Sequence, residues 1–177
     1  PDQFRQVKSI LQSDPGIAAA VISACGKKSS DDHKMTDLLY LIHAHLTYGV
    51  PCSDIVSSIR ERFSEISGTL GIGNDVMNEF DAYFASVSGE TSKDELVSRG
   101  EYFTSRLMAE YLGFRFIDAK DCIFFGFDGH LDVEKTYLTL KMLLSDGVRA
   151  VIPGFYGALP SGRIKVMSRG GSDITGA

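Results

Sequence analysis

The chain has 177 residues, with 44% hydrophobic and 23% charged side chains, which fits one soluble globular domain of ordinary size. Its net charge of -5 argues against a nucleic-acid-binding surface. No apolar run approaches the ~20 residues that a membrane span needs, and the polar first residues do not resemble a signal peptide. The three cysteines are far apart and form no C-x-x-C pair, which disfavours a zinc site or a disulfide framework and favours a cytoplasmic setting.

The chain before Gly113 is predicted to be mostly helical. A short apolar run from Ile17 to Ser23 predicts a buried parallel strand. Apolar residues at helical spacing predict helices over residues 1–13, 36–48, 55–66, 76–87 and 103–111, the last of which ends before Gly113. The helical stretch of residues 52–87 is expected to be an insertion outside the alternation of strands and helices.

Beyond Gly113 the pattern predicts short strands. Strands are expected over residues 114–117, 123–127, 149–152 and 163–167, with one helix over residues 133–144 that Gly147 stops. Strands alternating with helices indicate an α/β fold with a mainly parallel sheet covered on both faces. In such sheets ligands bind at the carboxyl ends of the strands, in the loops that lead into helices.

Three segments occupy such positions, and each has a structural interpretation beside the functional one. The first is Ser23 to Lys27 with Thr36, where small residues after a strand let the backbone pass near a ligand, although Thr36 would also suit a helix cap. The second is Ser98 to Glu101, expected at a helix start. There Glu101 either meets a substrate ammonium group or merely stabilises the helix dipole.

The third segment, Ser168 to Asp173, follows a predicted strand and leads into a predicted helix. Its two glycines let the backbone approach an anion closely. Arg169 can bind a carboxylate or phosphate through two parallel hydrogen bonds. The alternative is a tight turn in which Ser172 or Asp173 caps the helix.

Other patterns point to no further site. His43 and His45 are two residues apart, so on a helix they point in different directions and cannot share a metal. Gly71-Ile72-Gly73 lacks the third glycine of a dinucleotide-binding motif, and no G-x-x-x-x-G-K-[ST] phosphate loop is present. We therefore predict no metal site and no ordinary dinucleotide-binding domain.

Taken together, the three segments resemble the aspartate kinases of the amino acid kinase family. The resemblance is carried by VISACGK at Val21 to Lys27 with TDLL at Thr36 to Leu39, by SRGEYFTSRLMAEYLG at Ser98 to Gly113, and by VIPGFYGALPSGRIKVMSRGGSDITGA at Val151 to Ala177. The last block is the most specific, because a G-F-x-G element followed by R-G-G-S-D and a helix is characteristic of that family.

The resemblance implies a kinase that uses ATP and Mg²⁺ to phosphorylate the side-chain carboxylate of aspartate, giving 4-phospho-L-aspartate in lysine, threonine and methionine biosynthesis. It implies that Arg169 binds the α-carboxylate of aspartate and that Glu101 meets its α-amino group. The residues expected to shape the substrate pocket are Gly170, Gly171, Ser172 and Asp173, with Ser23 and Thr36 near the substrate and phosphate. No catalytic residue is assigned, because the family lysine lies upstream of the chain.

The resemblance also implies a fold and an assembly. The fold is a three-layer αβα sandwich with a mainly parallel central sheet, of the amino acid kinase or carbamate kinase type, and residues 1–177 are expected to be the N-terminal, amino-acid-binding part of it. The family's K-F-G-G-[ST] strand and loop, its nucleotide-binding half and its regulatory ACT domains are expected outside the chain, which should be inactive alone. A cytoplasmic homodimer with feedback inhibition by lysine or threonine is expected for the complete protein.

Two alternatives remain open at this point. Kinases for glutamate, acetylglutamate, carbamate or uridylate share the fold, although Glu101 with Arg169 favours a free α-amino acid and R-G-G-S-D favours aspartate. A non-catalytic homologue that binds an amino acid, or only mediates assembly, would retain the same motifs.

Overall fold

The computed structural model describes residues 1–27, 32–167 and 171–176. The elements in chain order are α1 (Asp2–Ser13), β1 (Ala19–Ile22), α2 (Met35–Thr47), α3 (Ser53–Leu70), α4 (Asp75–Ser86), α5 (Lys93–Leu112), β2 (Arg115–Phe116), α6 (Val133–Leu143), β3 (Ala150–Pro153), β4 (Tyr156–Ala158), β5 (Ile164–Val166) and α7 (Gly171–Gly176). None of the helices within these ranges combines the length and the apolarity needed to cross a membrane.

Three strands form a parallel sheet in the order β1-β3-β2. All four residues of the middle strand β3 are buried, as expected for a parallel strand covered on both faces. Because the strands are parallel, the carboxyl ends of β1 and β3 lie at the same edge of the sheet. The strands β4 and β5 form a separate antiparallel pair.

The two faces of the sheet pack against different hydrophobic clusters. Val151 of β3 belongs to a cluster with residues of α2, α3, α4 and α5. Its neighbours Ala150 and Ile152 belong to a second cluster, against which Leu140 and Leu143 of α6 pack. This division follows from the alternation of side chains along a strand.

The helix α5 connects the sheet to the other helices. It contacts β1, β2, β3 and β5 as well as α2, α3 and α4. The Ser92 side chain caps its start by accepting a hydrogen bond from the Glu95 amide, and Gly113 ends it in the left-handed conformation, with φ at 69°. Most residues from Leu96 to Ala109 are buried, so α5 has no broad solvent-facing side in that stretch.

The observed elements confirm most of the predicted helices and strands, with three corrections. Residues 123–127 form no extended strand: only isolated bridges occur there, at Phe124 and Phe125. The strand β4 was not predicted, because it has three residues and contains Gly157, too little for an alternating pattern. The segment Ser98 to Glu101 lies inside α5 and not at its start, because the helix begins at Lys93.

Candidate functional site

A cavity of about 530 Å³ opens where the residues that follow β1 and β3 meet the starts of α2 and α7. All three segments selected from the sequence contribute to it, through Ser23, Thr36, Glu101, Gly171, Ser172 and Asp173. The lining is completed by Lys34, Asp37, Tyr40, Phe155 and Met167. The predicted residues Arg169 and Gly170 lie outside the residues that the structure describes.

A larger cavity, of about 810 Å³, lies between α1, the segment after β1 and α3. Of the predicted site residues that the structure describes, it shares Ser23 with the smaller cavity but includes neither Glu101 nor any residue of α7. The smaller cavity is therefore the candidate site, because it joins residues from all three predicted segments.

Glu101 forms a buried wall of the candidate site, with 4% of the residue exposed. The backbone amides of Glu101 and Ala24 favour its ionised form, while Oε2 has no hydrogen-bond partner among the described residues. Burial raises the pKa of Glu101 to about 7, and backbone N–H donors oppose that shift only in part. A buried carboxyl group with an unpaired oxygen at a cavity is suited to a cationic group of a ligand.

The segment after β1 packs directly on α5 beside Glu101. A Cβ atom at Gly100 would lie 2.9 Å from Cγ of Met35 and 3.2 Å from Cβ of Ala24. One turn along α5, the Thr104 hydroxyl donates to the Gly100 carbonyl at 2.7 Å and accepts from the Cys25 amide at 3.0 Å. The absence of a side chain at Gly100 thus lets both the start of α2 and the segment after β1 approach α5.

The start of α2 forms another wall of the site. Its N-cap residue is Lys34, whose side chain makes no capping hydrogen bond. Arg62 of α3 holds the preceding segment through an ion pair of 2.6 Å with Asp32 and a hydrogen bond of 3.1 Å to the His33 carbonyl. Thr36 in the first turn is therefore placed by contacts that come from a different helix.

The residues that follow β3 and the start of α7 close the site. The Gly154 amide donates to the Ile22 carbonyl at 2.9 Å, and a Cβ atom at Gly154 would lie 2.6 Å from Cβ of Ser172. Phe155 has φ at 75°, a left-handed conformation that is rare outside glycine, and its carbonyl accepts a hydrogen bond from the Met167 amide at 2.7 Å. These contacts bring Ser172 next to the end of β3.

Among the described residues that line the cavity, acidic side chains outnumber basic ones. Of these described residues, Lys34 contributes a cation, while Asp37, Glu101 and Asp173 contribute carboxyl groups. Asp37 and Asp173 are exposed, whereas Glu101 is buried. Within the described part of the chain, no three His, Cys, Asp or Glu side chains are arranged to hold a metal ion.

Several lining residues were not identified as site residues from the sequence. Phe155 lies inside the G-F-x-G element that carries the family resemblance, so this motif could have identified Phe155 as a site residue. Lys34 and Tyr40 have no such signal, because only the packing of α2 against α5 brings them to the cavity.

Known aspartate kinases are similar to this chain over nearly its whole length. It is 29% identical to aspartokinase 3 of Bacillus subtilis over 189 residues, covering 99% of this chain and 42% of that protein. The crystal structure of aspartate kinase from Clostridium acetobutylicum, an allosteric enzyme, superposes with a TM-score of 0.93 at 40% identity, covering 99% of this chain and 40% of that one. No protein-family model matches the chain.

A more distant structure has the same fold. E. coli aspartokinase III in complex with aspartate and ADP superposes with a TM-score of 0.77 at 23% identity, covering 97% of this chain and 41% of that one. This chain thus spans about two fifths of the length of the relatives it matches. The homologues of this chain are aspartate kinases, and the chain corresponds to a partial region of them.

Proposed function

We propose that the complete protein containing this chain is an aspartate kinase and that residues 1–177 are the N-terminal, amino-acid-binding part of its catalytic domain. The observation that carries the proposal is the buried carboxyl group of Glu101, a residue that lines the cavity and whose Oε2 atom has no hydrogen-bond partner among the described residues. The similarity to aspartate kinases of B. subtilis and C. acetobutylicum supports it. The complex of E. coli aspartokinase III with aspartate and ADP is consistent with the proposed substrates.

Glu101 binds the α-ammonium group of aspartate in this proposal. An ammonium group close to the carboxyl group compensates its buried charge and fills the unpaired hydrogen-bonding position of Oε2. Neither the acetylated amine of acetylglutamate nor a uridine nucleotide presents an ammonium group to Glu101. The buried carboxyl group therefore favours a free amino acid as the substrate.

The other predicted residues surround the rest of the amino acid. Arg169 binds the α-carboxylate, and the amides of Gly170 and Gly171 with Ser172 and Asp173 shape the pocket. Ser23 and Thr36 lie near the substrate and the phosphate in this proposal. Support comes from the shared cavity for those of these residues that the structure describes, Ser23, Thr36, Gly171, Ser172 and Asp173.

The reaction transfers the γ-phosphoryl group of ATP to aspartate. A side-chain carboxylate oxygen forms a bond to the γ-phosphorus while the bond to the β–γ bridging oxygen breaks, which yields 4-phospho-L-aspartate and ADP. Phosphoryl transfer depends on positioning and on neutralising charge, a task that Mg²⁺ on the nucleotide performs. Since the described residues contain no cluster suited to a metal, we assign no protein ligand to Mg²⁺.

The proposal extends to the fold and the setting of the complete protein. The hydrophobic clusters on both faces of the sheet support a three-layer αβα sandwich, to which a nucleotide-binding half and regulatory ACT domains would be added. We propose a cytoplasmic homodimer that acts in the first step of lysine, threonine and methionine biosynthesis. Feedback inhibition by lysine or threonine would accord with the allosteric behaviour of the C. acetobutylicum enzyme.

The test is ADP release by the complete protein with ATP and Mg²⁺, comparing aspartate with glutamate. We expect release that depends on aspartate, with little from glutamate. Arg169→Ala should lower the aspartate efficiency more than tenfold, because it leaves a substrate carboxylate unpaired at about 2–5 kcal/mol. Release with glutamate alone would assign the protein to another amino acid kinase, and release with neither would favour a non-catalytic homologue.

A further inference from the structure

Arg62 of α3 is buried, yet its contacts reach the chain just before the candidate site. Only 3% of the residue is exposed. Its Nη2 atom donates to Oδ1 of Asp32 at 2.6 Å, and its Nη1 atom donates to the His33 carbonyl at 3.1 Å. The same Asp32 oxygen also accepts a hydrogen bond from the His33 amide at 2.8 Å. The guanidinium group thus holds a side-chain oxygen of one residue and the carbonyl oxygen of the next.

The stability of the chain does not by itself account for a buried arginine at this place. Removing a guanidinium group from water costs free energy, which an ion pair offsets only when the remaining hydrogen bonds are also made. The Nε atom of Arg62 is buried and has no hydrogen-bond partner among the described residues, so this condition is not met. An apolar side chain of similar length would fill the same space without that cost. What the arginine adds is a fixed position for Asp32 and His33.

The segment that Arg62 holds leads directly into the candidate site, where Thr36 lines the cavity. Its neighbour Met35 packs on α5, because the place of a Cβ at Gly100 lies 2.9 Å from the Met35 Cγ. The next residue of α5 is Glu101, which lines the same cavity. The start of α2 is therefore held by α5 through Met35 and by α3 through Arg62.

A second ion pair of α3 has no such link to the site. Arg60 donates to the two carboxylate oxygens of Asp81 in α4, at 2.6 Å and 2.7 Å. Both side chains are nearly half exposed, and neither residue is among the described residues that line the cavity. Because exposed ion pairs contribute little to stability, Arg60 provides a control on the same helix, two residues from Arg62.

We propose that Arg62 is a positioning residue for the amino-acid substrate. Through Asp32 and His33 it fixes the first turn of α2, and the width of the cavity between Thr36 and Glu101 depends on that turn. This inference rests on the proposed function, since it concerns the same cavity. Without the arginine the start of α2 occupies several positions, so that fewer molecules present a cavity of the right width and the apparent affinity for aspartate falls.

The test measures kcat and the KM values of aspartate and ATP for ADP release by the complete protein. The variants are Arg62→Met, Arg62→Lys, Asp32→Asn and the control Arg60→Met. We expect Arg62→Met to raise the KM of aspartate about tenfold, because misplaced binding groups lose affinity, and to change the KM of ATP less than about twofold. Saturating aspartate selects the correct position of α2, so kcat should stay within about threefold of the wild type.

Two milder variants grade the effect. Asp32→Asn keeps the space filled but replaces a charged acceptor with a neutral one, so it should raise the KM of aspartate about threefold. Lysine supplies a charge for Asp32 without the fork that also reaches the His33 carbonyl, so Arg62→Lys should restore part of the affinity that Arg62→Met loses. Arg60→Met should keep the wild-type KM values.

Urea unfolding of the same variants separates positioning from stability, because a purely structural arginine would lower stability without changing the KM of aspartate for the folded molecules. Should Arg62→Met not fold, Asp32→Asn decides. The inference is overturned, and the kinase proposal stands, if these variants match the aspartate KM of Arg60→Met or raise the KM of ATP equally. A wild-type protein that releases no ADP with aspartate would overturn the proposed function, and the positioning role with it.

Discussion

At the scale of single residues, Glu101 has the most unusual surroundings. Its carboxyl group is buried against the Ala24 amide, and no cation is among the causes that shift its pKa. Loss of water disfavours the ionised form, which is why the pKa is raised to about 7. A cationic ligand group would reverse this balance, because the opposite charge favours ionisation.

The raised pKa makes the stability of the chain depend on pH. Glu101 keeps its proton to about pH 7 in the folded chain, against an ordinary value of 4.5, so its stabilising contribution is complete below 4.5 and is lost as the pH rises through 7. Between about pH 4 and about pH 8 we expect the wild type to lose about 3 kcal/mol of unfolding free energy relative to Glu101→Gln, which stays neutral. Urea unfolding at several pH values measures this difference.

A control separates burial from mere loss of charge. Glu90 is exposed between α4 and α5, so Glu90→Gln should follow the wild-type pH profile. If the Glu101→Gln profile also runs parallel to the wild type, the buried carboxyl group does not titrate as described.

Sequence reasoning finds residues whose motif carries their chemistry, and misses those that only packing brings to the site. Glu101, Thr36 and Ser172 were selected from motifs, and all three line the cavity. Lys34 precedes a helix, as many solvated lysines do, and nothing in its neighbours indicates that α2 lies against Gly100. That contact is set by tertiary packing, which residue patterns do not encode locally.

At the scale of elements, α5 organises the site. It carries Glu101 at its middle and contacts three strands of the parallel sheet together with α2. Its C-terminus was predictable from Gly113, whereas its start was not. The residues Ser98 to Glu101 are polar or small yet buried, so the apolar periodicity that marks a helix disappears there although the helix continues.

Gly100 allows the close approach on which this arrangement depends. In Gly100→Ala the new Cβ would lie 2.9 Å from Cγ of Met35, 3.2 Å from Cβ of Ala24 and 3.3 Å from Cδ1 of Leu39. We expect the chain to lose about 1–3 kcal/mol of unfolding free energy, because overpacking forces neighbouring atoms apart. Aspartate binding to the complete protein should weaken as well, since α2 and the segment after β1 move away from Glu101.

Gly68 provides a matched control for this substitution. It lies in α3, is exposed, and a Cβ there would meet nothing within 4 Å. Gly68→Ala should therefore stabilise the chain by up to about 1 kcal/mol through helix propensity alone. Chemical unfolding of both variants measures the contrast, and a Gly100→Ala chain as stable as Gly68→Ala would contradict the close approach.

At the scale of the whole molecule, the chain corresponds to one part of its relatives. It spans about two fifths of the length of its relatives, and we propose that the nucleotide-binding half lies in the remainder. The alternation of strands and helices predicted the parallel sheet. The order β1-β3-β2 could not be predicted, because short apolar runs do not specify which strand becomes the middle one.

If that division of the protein is right, residues 1–177 alone should release no ADP from ATP and Mg²⁺, with or without aspartate, because the groups that hold the nucleotide are elsewhere. A coupled assay of ADP measures this, with the complete protein at equal concentration as the positive control. Aspartate-dependent turnover by the isolated chain would show that the nucleotide site lies within these residues.

The central position of β3 has a consequence for the folding of the chain during translation. Among the described strands β1 and β2 pair only with β3, which is translated after both of them. On the ribosome, the helices α2 to α5 can pack on one another as soon as they are synthesised. The parallel sheet cannot form until its middle strand β3 has been synthesised. A nascent chain that ends after α5 would thus be largely helical and would have Glu101 but no cavity around it.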